Sequence, residues 1–109
     1  MEKSSLTALA RELMVSAKTK NSGRSARTVY GGHECVLRQT VIALTAGSSL
    51  DEHDNPGEAT LQVLNGRIVL ASGDVRWEGS PGDHLVVPVA RHSVEALEDS
   101  AFLLSVAKP

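Results

Sequence analysis

An all-β sandwich or barrel led by one amphipathic helix is the fold class this 109-residue chain predicts, on three observations. From Thr28 onward apolar and polar residues alternate with period two. Turn signals recur there about every 8 to 12 residues. Helical periodicity is confined to the first twenty residues. The length is near the modal domain size, so one core is expected. With 41% hydrophobic and 22% charged residues the composition is that of a soluble globule, and no apolar run approaches the roughly 20 residues of a membrane helix.

Leu6, Leu9, Ala10, Leu13, Met14 and Ala17 recur at helical spacing behind Ser4 and Ser5, either of which can cap the first turn. The stripe predicts a helix that packs on the body or on a partner chain, because so short a helix is marginal alone. Lys18 to Arg27, polar and broken by Gly23, reads as a linker, so residues 1–28 form helix and linker and residues 29–109 the β domain.

The first long strand is expected over Glu34 to Thr45. Val36, Arg38, Thr40, Ile42 and Leu44 share one of its faces, and Cys35, Leu37, Gln39, Val41 and Ala43 share the other. Neither face is cleanly polar, so both should be covered, one by the barrel interior and one by the helix or a second subunit; a homodimer is the expectation. Leu61 to Leu64, Asn65-Gly66 and Arg67 to Leu70 read as a hairpin with a type I′ turn. Ser72-Gly73-Asp74 is the next turn, followed by a strand over Val75 to Glu78. The turn Gly79-Ser80-Pro81-Gly82-Asp83 precedes Leu85 to Pro88, whose proline marks an edge or an end. His92 to Leu97 and Phe102 to Ala107 complete seven or eight strands.

Net charge is -2, but residues 1–28 carry six Lys/Arg against two Glu, and the remainder five against eleven acidic residues. An acidic body with only Tyr30, Trp77 and Phe102 as aromatics lacks the basic stripe and stacking platform of a nucleic-acid binder. Cys35 is the only cysteine, so no internal disulfide can form, and Lys3 and Arg11 flank no apolar signal core; both features fit a cytoplasmic protein.

His53 and His92 each end a strand-like stretch beside a turn, where two imidazoles can share a pocket. The residues around them resemble the cupins, small double-stranded β-helix (jelly-roll) proteins, over about residues 34 to 107. Gly47, five residues, His53 and a final Gly66 keep the frame of the first cupin motif; Gly82, five residues and Pro88 keep that of the second, with Ala90 for a glycine and His92 one residue early.

The four metal-ligand positions that the resemblance implies read His53, Asn55, Ala59 and His92, so two of four ligands survive. A set of His53, Glu58 and His92, suited to iron, manganese, nickel or zinc, forms only if a bulge after Pro56-Gly57 turns Glu58 inward. The preferred reading is a ligand pocket of His53, Asn55, His92 and Arg38 that binds a small organic molecule at a degenerate metal site. Arg38, within an apolar strand, needs an anion, from an acidic neighbour or from a ligand carboxylate. Two rival readings stay open. One is a cupin enzyme, an oxygenase, isomerase or cyclase, working through a metal or through His53 and His92 as acid and base. The other is a dimeric interaction module that uses the helix. His33 and His84, beside turns, read as structural or exposed, Cys35 as core, and Trp77 as packing on the helix or at a subunit contact.

Overall fold

The computed structural model describes residues 2–53 and 57–108, with Glu52 and His53 described by backbone alone. Helix α1 (Leu6–Lys18) starts at Ser5, whose side chain accepts the Ala8 amide at 3.2 Å. Nine strands follow: β1 (Arg24–Tyr30), β2 (Leu37–Leu44), β3 (Ser49–His53), β4 (Glu58–Asn65), β5 (Ile68–Ser72), β6 (Val75–Gly79), β7 (His84–Val87), β8 (His92–Ala96) and β9 (Ser100–Ala107). They form two antiparallel sheets, β1-β2-β9-β4-β7 and β3-β8-β5-β6. None of the described helices is long and apolar enough to cross a membrane.

Alternation along each strand builds the core. Ile42, Leu44, Leu61, Val63 and Phe102 of the first sheet meet Ile68, Leu70, Val94 and Ala96 of the second. Fully burying an aliphatic side chain of this size contributes about 1.5–3 kcal/mol, so this layer dominates stability. The other face of β2 and β9, Val41, Ala43 and Ala101, lies beneath Leu9, Ala10, Leu13 and Ala17 of α1. The apolar back of the first long strand is thus covered by the chain's own helix, and the sequence argument for a second subunit on that face lapses.

Several segments differ from the sequence reading. Arg24 to Arg27 is strand, not linker, so the boundary between residues 28 and 29 falls inside β1. Its polarity misleads because β1 is an edge strand whose inner face the four-stranded sheet leaves uncovered; Ala26 is exposed although it pairs with the core residue Ile42. The long strand begins only at Leu37, because the Cys35 amide bonds the Gly32 carbonyl at 3.2 Å and closes a turn. Asn65-Gly66 is not a hairpin turn, since β4 and β5 belong to different sheets. Only Gly66 has positive φ (79°), whereas a type I′ turn needs it at both central residues. Trp77 lies on β6, in the sheet opposite α1. Pro88 does follow an edge strand, β7.

The barrel has two unlike ends. At one, the chain crosses between sheets at residues 45–48, 66–67, 80–83 and 97–99, and backbone bonds join the corners: Gly47 to the Ala96 carbonyl (2.8 Å), Ala96 to the Ser48 carbonyl (2.9 Å) and Leu97 to the Arg67 carbonyl (2.9 Å). The Ala46 amide adds a bond to Asp99 Oδ1 at 2.8 Å. At the other end β2 and β4 begin, β3, β7 and β9 finish, and β8 starts. Residues 31–36 and 88–91 rim this second end.

Candidate functional site

Strand directions bring the sequence-predicted residues to that second end. His92 opens β8 on the face shared with Val94 and Ala96, both in the core, and is 5% exposed. Its Nδ1 donates to the Ala90 carbonyl at 2.9 Å. A carbonyl only accepts, so the proton sits on Nδ1 and in the neutral ring the lone pair belongs to Nε2. The local sequence makes this geometry: the irregular segment 88–91 between β7 and β8 places the Ala90 carbonyl, two residues before His92, within reach of its ring.

His53 ends β3 at the register position opposite His92. Leu50 pairs with Val94, so an unbroken count would place Glu52 there; an irregularity between Leu50 and His53 adds one residue and shifts the pairing. Strand pairing thus juxtaposes the two histidine positions singled out in the sequence. Asn55 lies outside the described residues.

Glu58 does not join them. It opens β4 opposite Ala107 and is exposed, while the next residue, Ala59, is buried against the core with Leu61 and Val63. The one irregularity of β4 against β9 falls between Val63 and Asn65, at the closed end, so nothing turns Glu58 inward. Of the set of His53, Glu58 and His92, the carboxylate therefore stands on the outer face of β4. Ala59, at the position of the implied carboxylate, offers no donor, and among the described residues, which leave out the side chain of His53, no group of three His, Cys, Asp or Glu is placed to hold a metal.

Arg38 stands on the inner face of β2, two and four residues from Thr40 and Ile42, with Val106 as its partner on β9. It is half-buried, and no carboxylate pairs with it among the described residues. Its neighbourhood is a recess of about 260 Å³ that it lines with His33, Glu34, Cys35 and Lys108. Cys35 is accordingly half-exposed at this rim rather than core, because it sits in the turn before β2 and not within the strand. His33 reads in the sequence as a turn residue, yet it stands five residues before Arg38 on the segment feeding that strand, and that spacing is the signal that links it to the recess. His84 is exposed at the start of β7, at the closed end, away from this group.

Two antiparallel sheets closed on one another, tied at one end and carrying polar residues at the other, define a double-stranded β-helix. Solved structures share it. A conserved protein of unknown function from Streptococcus pyogenes aligns at 26% identity and TM-score 0.73, covering 83% of this chain and 78% of that one. An RmlC-like cupin from Desulfovibrio desulfuricans aligns at 25% identity and TM-score 0.67, covering 77% and 81%. A cupin superfamily protein from Desulfitobacterium hafniense aligns at 17% identity and TM-score 0.72, covering 79% and 78%. No family model and no curated protein matches the sequence. The chain is a small all-β protein of the cupin fold.

Proposed function

We propose that this chain is a small-molecule-binding cupin whose open end takes a small organic anion. The carrying observation is Arg38: a half-buried guanidinium on the core face of a strand, with no carboxylate partner among the described residues. Holding such a charge partly out of water is costly without an anion, and a planar carboxylate meets a guanidinium through two parallel hydrogen bonds. Lys108 adds a second positive charge at the same recess against the one carboxylate of its lining, Glu34. His92, buried at the same end of the barrel with its Nδ1 bonded to the Ala90 carbonyl, adds a second polar side chain there.

This reading assigns binding and no bond-breaking step. It is tested by a thermal-shift screen of mono- and dicarboxylates, phenols and enols, followed by calorimetry on the best compound. Arg38→Ala and His92→Gln should each weaken that compound at least tenfold. A compound that binds both variants as it binds the parent, or a screen in which no anion raises the melting temperature, overturns the reading.

A further inference from the structure

The barrel is open along one side as well as at one end. β1 pairs only with β2, and β3 pairs only with β8, so each is an edge strand of its sheet, and residues of both line one seam. The seam is a cleft of about 320 Å³, whose lining includes Ala26 of β1, Ile42 of β2 and Leu50 of β3, with Lys20 and Arg24 at its rim. Its floor is core: Ile42 belongs to the buried cluster between the sheets and Leu50 packs against it, yet solvent reaches both. Five strands opposite four leave the inner face of β1 without a cover, and this is why apolar interior is accessible here.

The rim of the cleft is cationic. Of the basic residues preceding Thr28, Lys18 pairs with Asp99 at 3.5 Å and Arg27 with Glu12 at 3.6 Å, whereas Lys20 and Arg24 have no carboxylate within ion-pair reach among the described residues. In a chain whose body is acidic, two cations with no carboxylate partner among the described residues concentrate positive potential beside an apolar cleft where a hydrophobic tail can enter.

We propose that this seam is a second binding site, for an amphipathic monoanion of the medium-chain acyl carboxylate class. The acyl chain would lie on Ala26, Ile42 and Leu50, and the carboxylate between Lys20 and Arg24. The volume suits it: about 300 Å³ is the lower end for small-molecule pockets. This site is separate from the open end, because Lys20 and Arg24 lie toward the start of β1, which pairs with the end of β2 at Leu44, whereas Arg38 lies at the beginning of β2.

The test is a titration of the isotope-labelled full chain with sodium decanoate below its micelle concentration, followed by amide chemical shifts, with acetate, hexanoate and decanol as comparison probes. Decanoate should shift the amides of Ala26, Ile42 and Leu50 saturably. Each buried methylene is worth roughly a factor of four in affinity, so hexanoate, even partly buried, should bind at least tenfold more weakly, and acetate not measurably. The exposed double variant Lys20→Glu, Arg24→Glu should weaken decanoate at least tenfold while keeping the parent spectrum elsewhere, and Ala26→Trp should block it by filling the cleft. The proposal is overturned if decanoate shifts map to Arg38 and His92 instead, if decanol binds as well as decanoate, if the charge-reversed variant binds like the parent, or if no saturable shift is seen.

Discussion

Ser100 accepts the Arg67 amide at 3.0 Å through its hydroxyl, and its own proton lies between the Glu98 carbonyl at 2.7 Å and the Arg67 carbonyl at 3.0 Å. One fully buried serine therefore ties the corner between β4 and β5 to the corner between β8 and β9. Ser100→Ala removes that tie and leaves the part-buried Arg67 amide without its partner, at the cost of about 1–3 kcal/mol of an amide left unsatisfied out of water. Chemical denaturation should show a loss of that size with an unchanged slope. A loss under ~0.5 kcal/mol would mean that water replaces the hydroxyl and that the corners hold without it.

Gly66 makes the same junction possible from the other side. Its φ of 79° is strained for any residue with a side chain, and a Cβ there would collide with the Asp99 carbonyl and the Ser100 side chain. Gly73 supplies the control, since its φ is 58° but a Cβ would meet nothing within 4 Å. Gly73→Ala should cost about 1–2 kcal/mol from backbone strain alone, and Gly66→Ala clearly more. Equal melting temperatures for the two variants would show that the corner yields without cost.

How much of this was readable from residues follows from which forces are local. The period-two pattern of Ile42 and Leu44 against Val41 and Ala43 announced a strand covered on both faces, because burial leaves its mark on side-chain type. The two histidine positions were legible as turn-bounded strand ends, and strand pairing places them opposite one another. Three things were not legible. Asn65-Gly66 carries the same dipeptide whether the chain folds back in one sheet or crosses to the other, and that choice depends on packing far along the sequence. β1 escaped because an edge strand with an uncovered inner face has no apolar alternation to show. The direction of Glu58 also hung on an irregularity, and the sequence allowed one in β4, whereas the structure puts it in β3.

The helix should be part of the folding unit rather than a removable arm. Leu13 is 4% exposed over the sheet, and Leu13→Ala should cost about 2–5 kcal/mol, the range for large-to-small changes in a core. Deleting residues 1–20 uncovers Val41, Ala43, Ala101 and Leu103 together. The truncated chain should self-associate or unfold, as an apolar patch of that kind does in water. Light scattering and a thermal melt decide the point, and a truncated chain that stays monomeric and melts like the parent would show that the contact contributes little.

Arg38 allows a test of why a charge stands on a core face. If it served structure, removing it would break an ion pair and cost about 3–5 kcal/mol, as the loss of one partner of a buried pair does. Among the described residues no carboxylate pairs with it, so none of their ion pairs is lost with the cation. Arg38→Met keeps the length and apolar stem of the side chain beside Val106 while deleting the cation. Without ligand, the variant should be as stable as the parent within about 0.5 kcal/mol, or more stable, as is usual where a site is held against the interest of the fold. With a bound organic anion the order should reverse, because the parent alone gains stability as ligand is added. Paired denaturation curves with and without the best carboxylate from the screen would show this crossing. If Arg38→Met is strongly destabilised in the absence of ligand, Arg38 is a structural residue and the open end must recognise its ligand by other means.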